Sequence, residues 1–153
     1  MPFVLAILAA LAPAFAKLSE GWFELVPCEL CLWQRAPYWV AVPLFLAAGF
    51  LPRRCGLFLA LGGLACLVSA AIGGFHAGVE WGWWPSPLPG CAAPTAQANM
   101  SLDDLMRSLA PAPTKPCDAA TFLIPGLPVS MAAMNAIYGA VVAGLAFLTA
   151  RRR

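Results

Sequence analysis

The chain has few charged residues for its length. Of its 153 residues, 10% are charged and 61% are hydrophobic, whereas a soluble domain is about 25% charged. A soluble fold of this size could not bury so much apolar surface, so lipid is the expected solvent. The net charge of +2 is small and the basic residues form no patch, which argues against nucleic acid as a partner.

Long polar stretches are also scarce, because apolar runs occupy residues 2–18, 34–51, 56–75 and 129–150. The first two are short, but each is close to the roughly 20 residues that cross a bilayer as a helix. Backbone groups in lipid must be paired within their own segment, so helix is the only structure that suits these runs. The sequence therefore predicts an all-α fold, a single membrane four-helix bundle over residues 1–153. Its outer loops are expected at about 19–33 and 77–128, the second long and partly irregular.

The positions of the few charges indicate an orientation in the membrane. Arginines fill the link between the second and third runs and follow the fourth, at Arg53, Arg54, Arg151, Arg152 and Arg153. The positive-inside tendency makes these ends cytoplasmic. All seven acidic residues fall in the two segments that this topology puts outside, which agrees with the assignment.

The first run allows a second interpretation, a cleaved secretory signal peptide. Ala14, Phe15 and Ala16 form the small-residue pattern of a cleavage site. The basic segment of such a peptide is missing, since no Lys or Arg precedes Lys17. We therefore favour an uncleaved helix, and in both cases the residues after the run lie outside.

The six cysteines divide according to the side of the membrane. The outer loops hold two pairs, Cys28 with Cys31 in the first and Cys91 with Cys117 in the second. The outside of a bacterial inner membrane is oxidising and the cytoplasm is reducing, so the outer pairs can form disulfides. Cys66 is interpreted as a small packing residue, and no role is indicated for Cys55.

The outer pairs have a structural interpretation and a catalytic one. Two disulfides that staple loops would be the commoner use of outer cysteines. A Cys-x-x-Cys disulfide restrains little chain, however, because disulfide stabilisation grows with loop length, and its usual role is thiol–disulfide exchange. A zinc site is disfavoured because the outer side is oxidising and no second Cys-x-x-Cys is present. We therefore predict no metal site.

The segment PCELCLWQR, residues 27–35, favours the catalytic interpretation. A helix that begins near Cys31 would favour a thiolate there through its amide dipoles. Arg35 follows four residues later, one turn along the same face. An unpaired arginine at the membrane surface is unfavourable, so Arg35 should have an anionic or strongly polar partner. The Cys31 thiolate and an electron acceptor in the lipid are the expected partners.

These residues resemble the DsbB family, membrane enzymes that pass electrons from periplasmic thiols to quinone. The resemblance rests on the Cys-x-x-Cys-x-x-x-Arg signature in PCELCLWQR and on three further segments: GVEWGWWPSPLPGC (78–91), KPCD (115–118) and PGLPVSMAAMN (125–135). These motifs cover nearly the whole chain in the family's order. They imply four membrane helices with both active loops on the periplasmic side of a bacterial inner membrane.

The resemblance also implies a reaction and its catalytic residues. A reduced DsbA-like protein, with a thioredoxin fold, attacks Cys91 and is released oxidised, which leaves Cys91 and Cys117 reduced. The electrons pass to Cys28 and Cys31 by thiol–disulfide exchange. Cys31 then reduces ubiquinone or menaquinone. These four cysteines are therefore the expected catalytic residues.

Three further residues are candidates for quinone binding. Arg35 is the first, because its charge lies one turn from Cys31. His76 is the only histidine; it either contacts the quinone headgroup or is an interfacial polar residue at the end of the third run. Gln34 ranks below Arg35, because adjacent positions on a helix point apart.

Two other functions remain open. A vitamin K epoxide reductase-like enzyme would carry its Cys-x-x-Cys near the end of the bundle, whereas this motif comes first. A non-enzymatic membrane scaffold would hold two permanently oxidised pairs and would not reduce quinone.

Overall fold

A computed structural model describes residues 1–86, 88, 116–123, 126 and 128–152. Within these residues it has no strand and four long helices: α1, Pro2–Phe23; α2, Glu29–Phe50; α3, Cys55–Glu80; and α4, Met131–Arg151. A 3-10 turn, Pro52–Arg54, joins α2 to α3. The predicted all-α four-helix bundle is confirmed.

The helices extend beyond the apolar runs that predict them. α1 ends at Phe23 rather than near 18, α2 begins at Glu29 rather than near 34, and α3 ends at Glu80 rather than near 75. The first outer loop, predicted at 19–33, is therefore corrected to residues 24–28. An apolar run marks the part of a helix that contacts lipid, whereas the helical hydrogen bonds continue into the interface. Residues expected in loops consequently lie on helix ends.

The outside of the bundle is that of a membrane protein. α1, α4 and the segment Pro52–Glu80, which contains α3, are long and apolar enough to cross a bilayer. α2 is as long as α1, but Gln34 and Arg35 make it less apolar than the other three. Gln34 and Tyr38 point into the bundle, while Trp33, Trp39 and Val40 cover the outside of α2. The polar face of α2 is thus turned towards the interior and its apolar face outwards.

Small residues let α3 pack closely on α4, its most extensive partner. Gly63 lies against Ala146, and Gly139 lies against the backbone carbonyl of Cys66. In lipid, helices associate through such close contacts, because apolar side chains gain little by leaving the lipid tails. Larger side chains fill the rest of the core: Leu5, Tyr38, Phe45, Leu59 and Val142.

The two ends of the bundle differ in charge. The start of α3 meets the end of α4, where a Cβ on Gly56 would lie 3.6 Å from the Ala150 carbonyl. This end carries the arginines Arg53, Arg54, Arg151 and Arg152. Glu20 and Glu80 lie near the opposite ends of α1 and α3. Among the described residues, these four arginines and these two glutamates therefore lie at opposite ends of the bundle.

We predict that Gly139→Ala destabilises the bundle while Gly144→Ala, in the same helix, does not. A Cβ at position 139 would lie 2.9 Å from the Cys66 carbonyl oxygen, whereas position 144 has nothing within 4 Å. Overpacking of this kind costs roughly 1–3 kcal/mol. The measurement is the midpoint of thermal unfolding in detergent. Equal midpoints for the two variants would contradict the close α3–α4 contact.

Candidate functional site

Cys28 closes the N-terminus of α2. Its backbone is extended, with φ −83° and ψ 167°, and its Sγ accepts a hydrogen bond from the Cys31 amide at 3.2 Å. The sulfur takes the place of the side-chain oxygen in an ordinary helix cap, where the helix dipole stabilises an anion. α2 begins at Glu29, two residues before Cys31, so the condition of a helix start near Cys31 is met. Cys28 caps the helix and Cys31 lies in its first turn, so both lie at the positive end of the dipole.

The two thiols of the Cys-x-x-Cys segment are in contact. Cys28 and Cys31 are both free, and their sulfurs are 2.7 Å apart. The hydrogen bond to Cys31, together with burial, raises the pKa of the Cys28 thiol, because a second negative charge beside the first is unfavourable. The pair therefore gives up its second proton with difficulty and presents one thiolate at a time.

Cys117 brings the second outer loop to the same place. It is fully buried and packs in one cluster with Cys28, Leu30 and Val79. Its sulfur, the Cys28 sulfur and a ring nitrogen of His76 lie within 4.8 Å of one another. Cys117 is disulfide-bonded. The second loop thus delivers one of its cysteines to the Cys-x-x-Cys segment.

Cys91, the remaining predicted catalytic residue, lies outside the described residues. Its pairing with Cys117 therefore stays a prediction from the sequence.

His76 lies behind the sulfurs, within the bundle. Its Nε2 is 3.5 Å from the Cys28 Sγ and 3.2 Å from the Cys117 carbonyl oxygen, and its Nδ1 is 2.8 Å from the Gln34 Nε2. A Glu80 carboxylate oxygen lies 3.9 Å from Nε2. His76 is only 2% exposed. It is thus an interior neighbour of the cysteines rather than an exposed interfacial residue.

Gln34 belongs to a buried chain of hydrogen bonds that joins three helices. Its Oε1 accepts from the Asn135 Nδ2 at 2.9 Å, and its backbone carbonyl accepts from the Ser69 Oγ at 2.7 Å. The Asn135 Nδ2 also contacts Ser69, and the Asn135 Oδ1 accepts from the Tyr38 Oη at 3.0 Å. α2, α3 and α4 are therefore linked through polar atoms beside His76.

Gln34 and Arg35 point in different directions, as the sequence argument expected of adjacent helix residues. Gln34 points into the bundle, where its amide nitrogen lies 2.8 Å from the His76 Nδ1. Sequence reasoning missed Ser69 and had no independent argument for Asn135, because a lone polar residue in an apolar run carries no signal of its partner.

Arg35 forms an ion pair with Glu20 across the α1–α2 interface. The two side chains are shielded from solvent, with 18% and 17% of their surfaces exposed. Glu20 also pairs with Lys17, which is exposed. Arg35 has an anionic partner, as expected, but among the described residues that partner is Glu20 and not the expected Cys31 thiolate. Sequence reasoning missed it, because no pattern along the chain connects the end of α1 to the start of α2.

A cavity of about 510 Å³ opens beside these residues, between α1, α2 and α4. It exists because α1 packs on α2 but makes few contacts with α4. Its volume is typical of ligand pockets. Apolar side chains from α1 and α4 form much of its wall, and its polar lining includes Cys31, Gln34, Arg35, His76 and Asn135. The three predicted quinone-binding residues thus line one cavity together with Cys28 and Cys31.

Two cysteines lie away from this site, and the site itself is poorly suited to zinc. Cys55 begins α3 beside the arginines, and Cys66 is fully buried in the core. The trio of Cys28, His76 and Cys117 could surround an ion, but zinc binds cysteine as thiolate and the Cys117 sulfur is committed to a disulfide. The described residues are therefore better arranged for sulfur exchange than for zinc.

Comparison with known proteins gives the family. The model of the family described as Disulfide bond formation protein DsbB matches residues 1–149. Searches among curated proteins and among solved structures found no significant match. The matched range includes every predicted site residue. The chain therefore belongs to the DsbB family of disulfide bond formation proteins.

Proposed function

We propose that this protein is a quinone-dependent protein-disulfide oxidoreductase. It would reoxidise a periplasmic DsbA-like protein with a thioredoxin fold and pass the electrons to ubiquinone or menaquinone. Family membership supports disulfide chemistry in general. The finer proposal rests on the position of Cys28. Its sulfur lies within 4.8 Å of the Cys117 sulfur and touches Cys31, which lines the cavity.

The first exchange takes electrons from the partner protein. A thiolate of the reduced partner attacks the Cys91 sulfur of a Cys91–Cys117 disulfide, and Cys117 leaves as a thiolate. The partner's second thiol then attacks the mixed disulfide and releases Cys91. Two partner thiols become a disulfide, and Cys91 and Cys117 become thiols.

The second exchange moves the electrons to the Cys-x-x-Cys segment. The Cys117 thiolate attacks the Cys28 sulfur of a Cys28–Cys31 disulfide, and Cys31 leaves as a thiolate. Cys91 then attacks Cys117 and releases Cys28. Because Cys28 and Cys117 already pack in one buried cluster, this exchange requires little movement of the chain.

The cavity residues fit a quinone. Apolar walls suit the quinone ring and its hydrocarbon tail, while the Arg35 guanidinium offers hydrogen-bond donors to a quinone carbonyl oxygen. A bound quinone supplies an acceptor for two electrons and two protons. Glu20 holds the Arg35 guanidinium in place, and Gln34 and His76 close the polar end of the cavity.

We further propose that the cysteine-bearing end of the bundle faces the periplasm of a bacterium, with the protein spanning the inner membrane several times. The arginines Arg53, Arg54, Arg151 and Arg152 lie at the opposite end, as the positive-inside tendency requires for the cytoplasmic side. The periplasm is oxidising, which suits disulfide chemistry at the other end.

The direct experiment mixes the purified protein with a reduced DsbA-like partner and a soluble quinone. We expect quinone absorbance to fall as partner thiols are lost, with one quinone reduced for each disulfide formed. A membrane scaffold with structural disulfides would reduce no quinone under these conditions.

We predict that the outer cysteine pairs are required for turnover and that Cys55 and Cys66 are not. Cys55 lies beside the arginines and Cys66 lies in the core, so both are away from the site. The double variant Cys55→Ser with Cys66→Ala should retain most quinone reduction. Replacement of either outer pair by serine should abolish it. Loss of activity in the double variant, with its helical circular dichroism intact, would refute the assignment.

A second prediction concerns the capture of the partner. In a Cys117→Ser variant, Cys91 has no disulfide partner of its own in the outer loop. A DsbA-like protein that lacks its second thiol, with its remaining thiol activated as a mixed disulfide with thionitrobenzoate, should react with the Cys91 thiolate and release thionitrobenzoate. It should then remain trapped through Cys91, since no further thiol of the partner can resolve the mixed disulfide. Mapping of the cross-linked peptide checks this. A cross-link through Cys28 would mean that the second loop is only a structural staple.

A third prediction concerns Arg35. Hydrogen bonds to charged groups contribute roughly 1.5–3 kcal/mol, so Arg35→Met should raise the quinone KM about tenfold or more. Exchange with the partner should be unchanged, and Arg35→Lys should fall between, because Lys keeps the charge and loses the planar fork. The measurement is quinone KM at saturating reduced partner.

The Arg35→Met change would leave Glu20 without its cation. The matched variant is therefore Arg35→Met combined with Glu20→Gln, which removes both charges of the ion pair. A raised KM in both backgrounds supports direct contact between Arg35 and the quinone. An unchanged KM in both would move the quinone site away from Arg35.

A further inference from the structure

Two acceptors on α3 fix the orientation of the Asn135 side chain. Its Nδ2 lies 3.3 Å from the Ser69 backbone carbonyl oxygen, which can only accept. Nδ2 also lies 3.2 Å from the Ser69 Oγ, whose single proton is donated to the Gln34 carbonyl at 2.7 Å. At the other end of the amide, the Tyr38 Oη donates to Oδ1 at 3.0 Å. The amide nitrogen of Asn135 therefore has to face Ser69 and Gln34.

This orientation fixes Gln34 in turn. The Asn135 Nδ2 donates to the Gln34 Oε1 at 2.9 Å, so the amide nitrogen of Gln34 points the other way. That nitrogen lies 2.8 Å from the His76 Nδ1 and can only donate. The His76 Nδ1 must therefore carry a lone pair, and in the neutral ring the proton is on Nε2.

The opposite side of the ring favours the same tautomer. The His76 Nε2 is 3.2 Å from the Cys117 carbonyl oxygen, which accepts and cannot donate. The Glu80 carboxylate, 3.9 Å away, also attracts a proton at this position. The Cys28 sulfur lies 3.5 Å from the same nitrogen. Acceptors thus surround Nε2, while a donor faces Nδ1.

We infer that Asn135 is a positioning residue, which acts through Gln34 to hold His76 as the neutral Nε2–H tautomer. In this form the single Nε2 proton of His76 is shared between the Cys117 carbonyl and the Cys28 sulfur, and His76 cannot take the Cys28 proton at Nε2. The assignment of the tautomer stands on these contacts alone. Its consequence for sulfur exchange rests on the function proposed above.

The tautomer matters when Cys28 is the leaving group. The Cys91 thiolate attacks Cys117, the Cys91–Cys117 bond forms, and the Cys117–Cys28 bond breaks. The electron pair of the broken bond stays on Cys28, which leaves as a thiolate and needs no proton. A leaving thiolate departs faster when its negative charge is stabilised, and the His76 Nε2–H provides that donor. The opposite tautomer would turn a lone pair towards the developing charge.

Because His76 is the only histidine in the chain, labelling histidine with ¹⁵N reports on this one ring. In the reduced protein in detergent, we expect Nε2 to carry a directly bonded proton and Nδ1 to be unprotonated. Tyr38→Phe is the matched control, since it removes a bond to the Asn135 Oδ1 and leaves the Ser69 contacts. Its spectrum should show the same tautomer.

Asn135→Leu removes the hydrogen bond that orients the Gln34 amide, and Gln34→Met removes the donor that faces the His76 Nδ1. Both should bring the Nδ1–H tautomer into the spectrum, and Asn135→Ala is the smaller substitution if the leucine does not fit. A wild-type ring protonated on Nδ1, or on both nitrogens, would overturn the inference. So would a pure Nε2–H spectrum in both Asn135 variants, because Asn135 would then only pack between helices.

Turnover provides a second readout. Loss of the donor should lower kcat by roughly tenfold, the effect of about 1.4 kcal/mol on a barrier. An unchanged kcat in a variant whose tautomer has shifted would remove His76 from the exchange step. If the wild type shows the Nε2–H tautomer but reduces no quinone, the proposed function fails and the tautomer assignment remains.

Discussion

In a bundle surrounded by lipid, a polar side chain has to find its hydrogen-bond partners inside the protein. Gln34, Ser69 and Asn135 meet this requirement together, one from each of α2, α3 and α4. A helix that rotated would leave buried groups unpaired, at a cost of several kcal/mol in lipid. The polar chain therefore sets the relative orientation of the helices. It also places His76, which continues the chain to the sulfurs.

The cysteines lie between two regions with different physical character. On one side are the buried contacts of Cys28 with His76 and Cys117. On the other is the cavity that remains because α1 associates mainly with α2. The ion pair of Arg35 with Glu20 ties α1 to α2 at the cavity, so the opening does not depend on apolar packing alone. Cys28, Cys31 and His76 also line this cavity, so the proposed sulfur exchange and quinone reduction would share these residues.

Residue type and spacing along the chain were sufficient to predict the number of helices and their order. The apolar runs predicted four helices, since a helix that crosses lipid needs a continuous apolar stretch, and the described residues form four long helices. The helix ends were less predictable, because polar residues at the interface can continue a helix or leave it. Cys28 illustrates this, as its sulfur caps α2, which begins at Glu29 rather than near residue 34. Arg35 was identified from its spacing, but its partner Glu20 was not, because ion pairs between helices leave no pattern in one sequence.

The sequence by itself determined the class of molecule: a chain suited to lipid, with four helices, two pairs of cysteines between them, and an arginine one turn from a cysteine. These features are local, since they depend on composition and on spacing within a segment. Only the tertiary structure decided that Cys117 lies beside Cys28, that Glu20 neutralises Arg35, and that Gln34 faces His76. Each of these contacts joins residues from different segments. They arise from how the helices rotate and pack, which is set by the pairing of buried polar groups and the close approach of small residues.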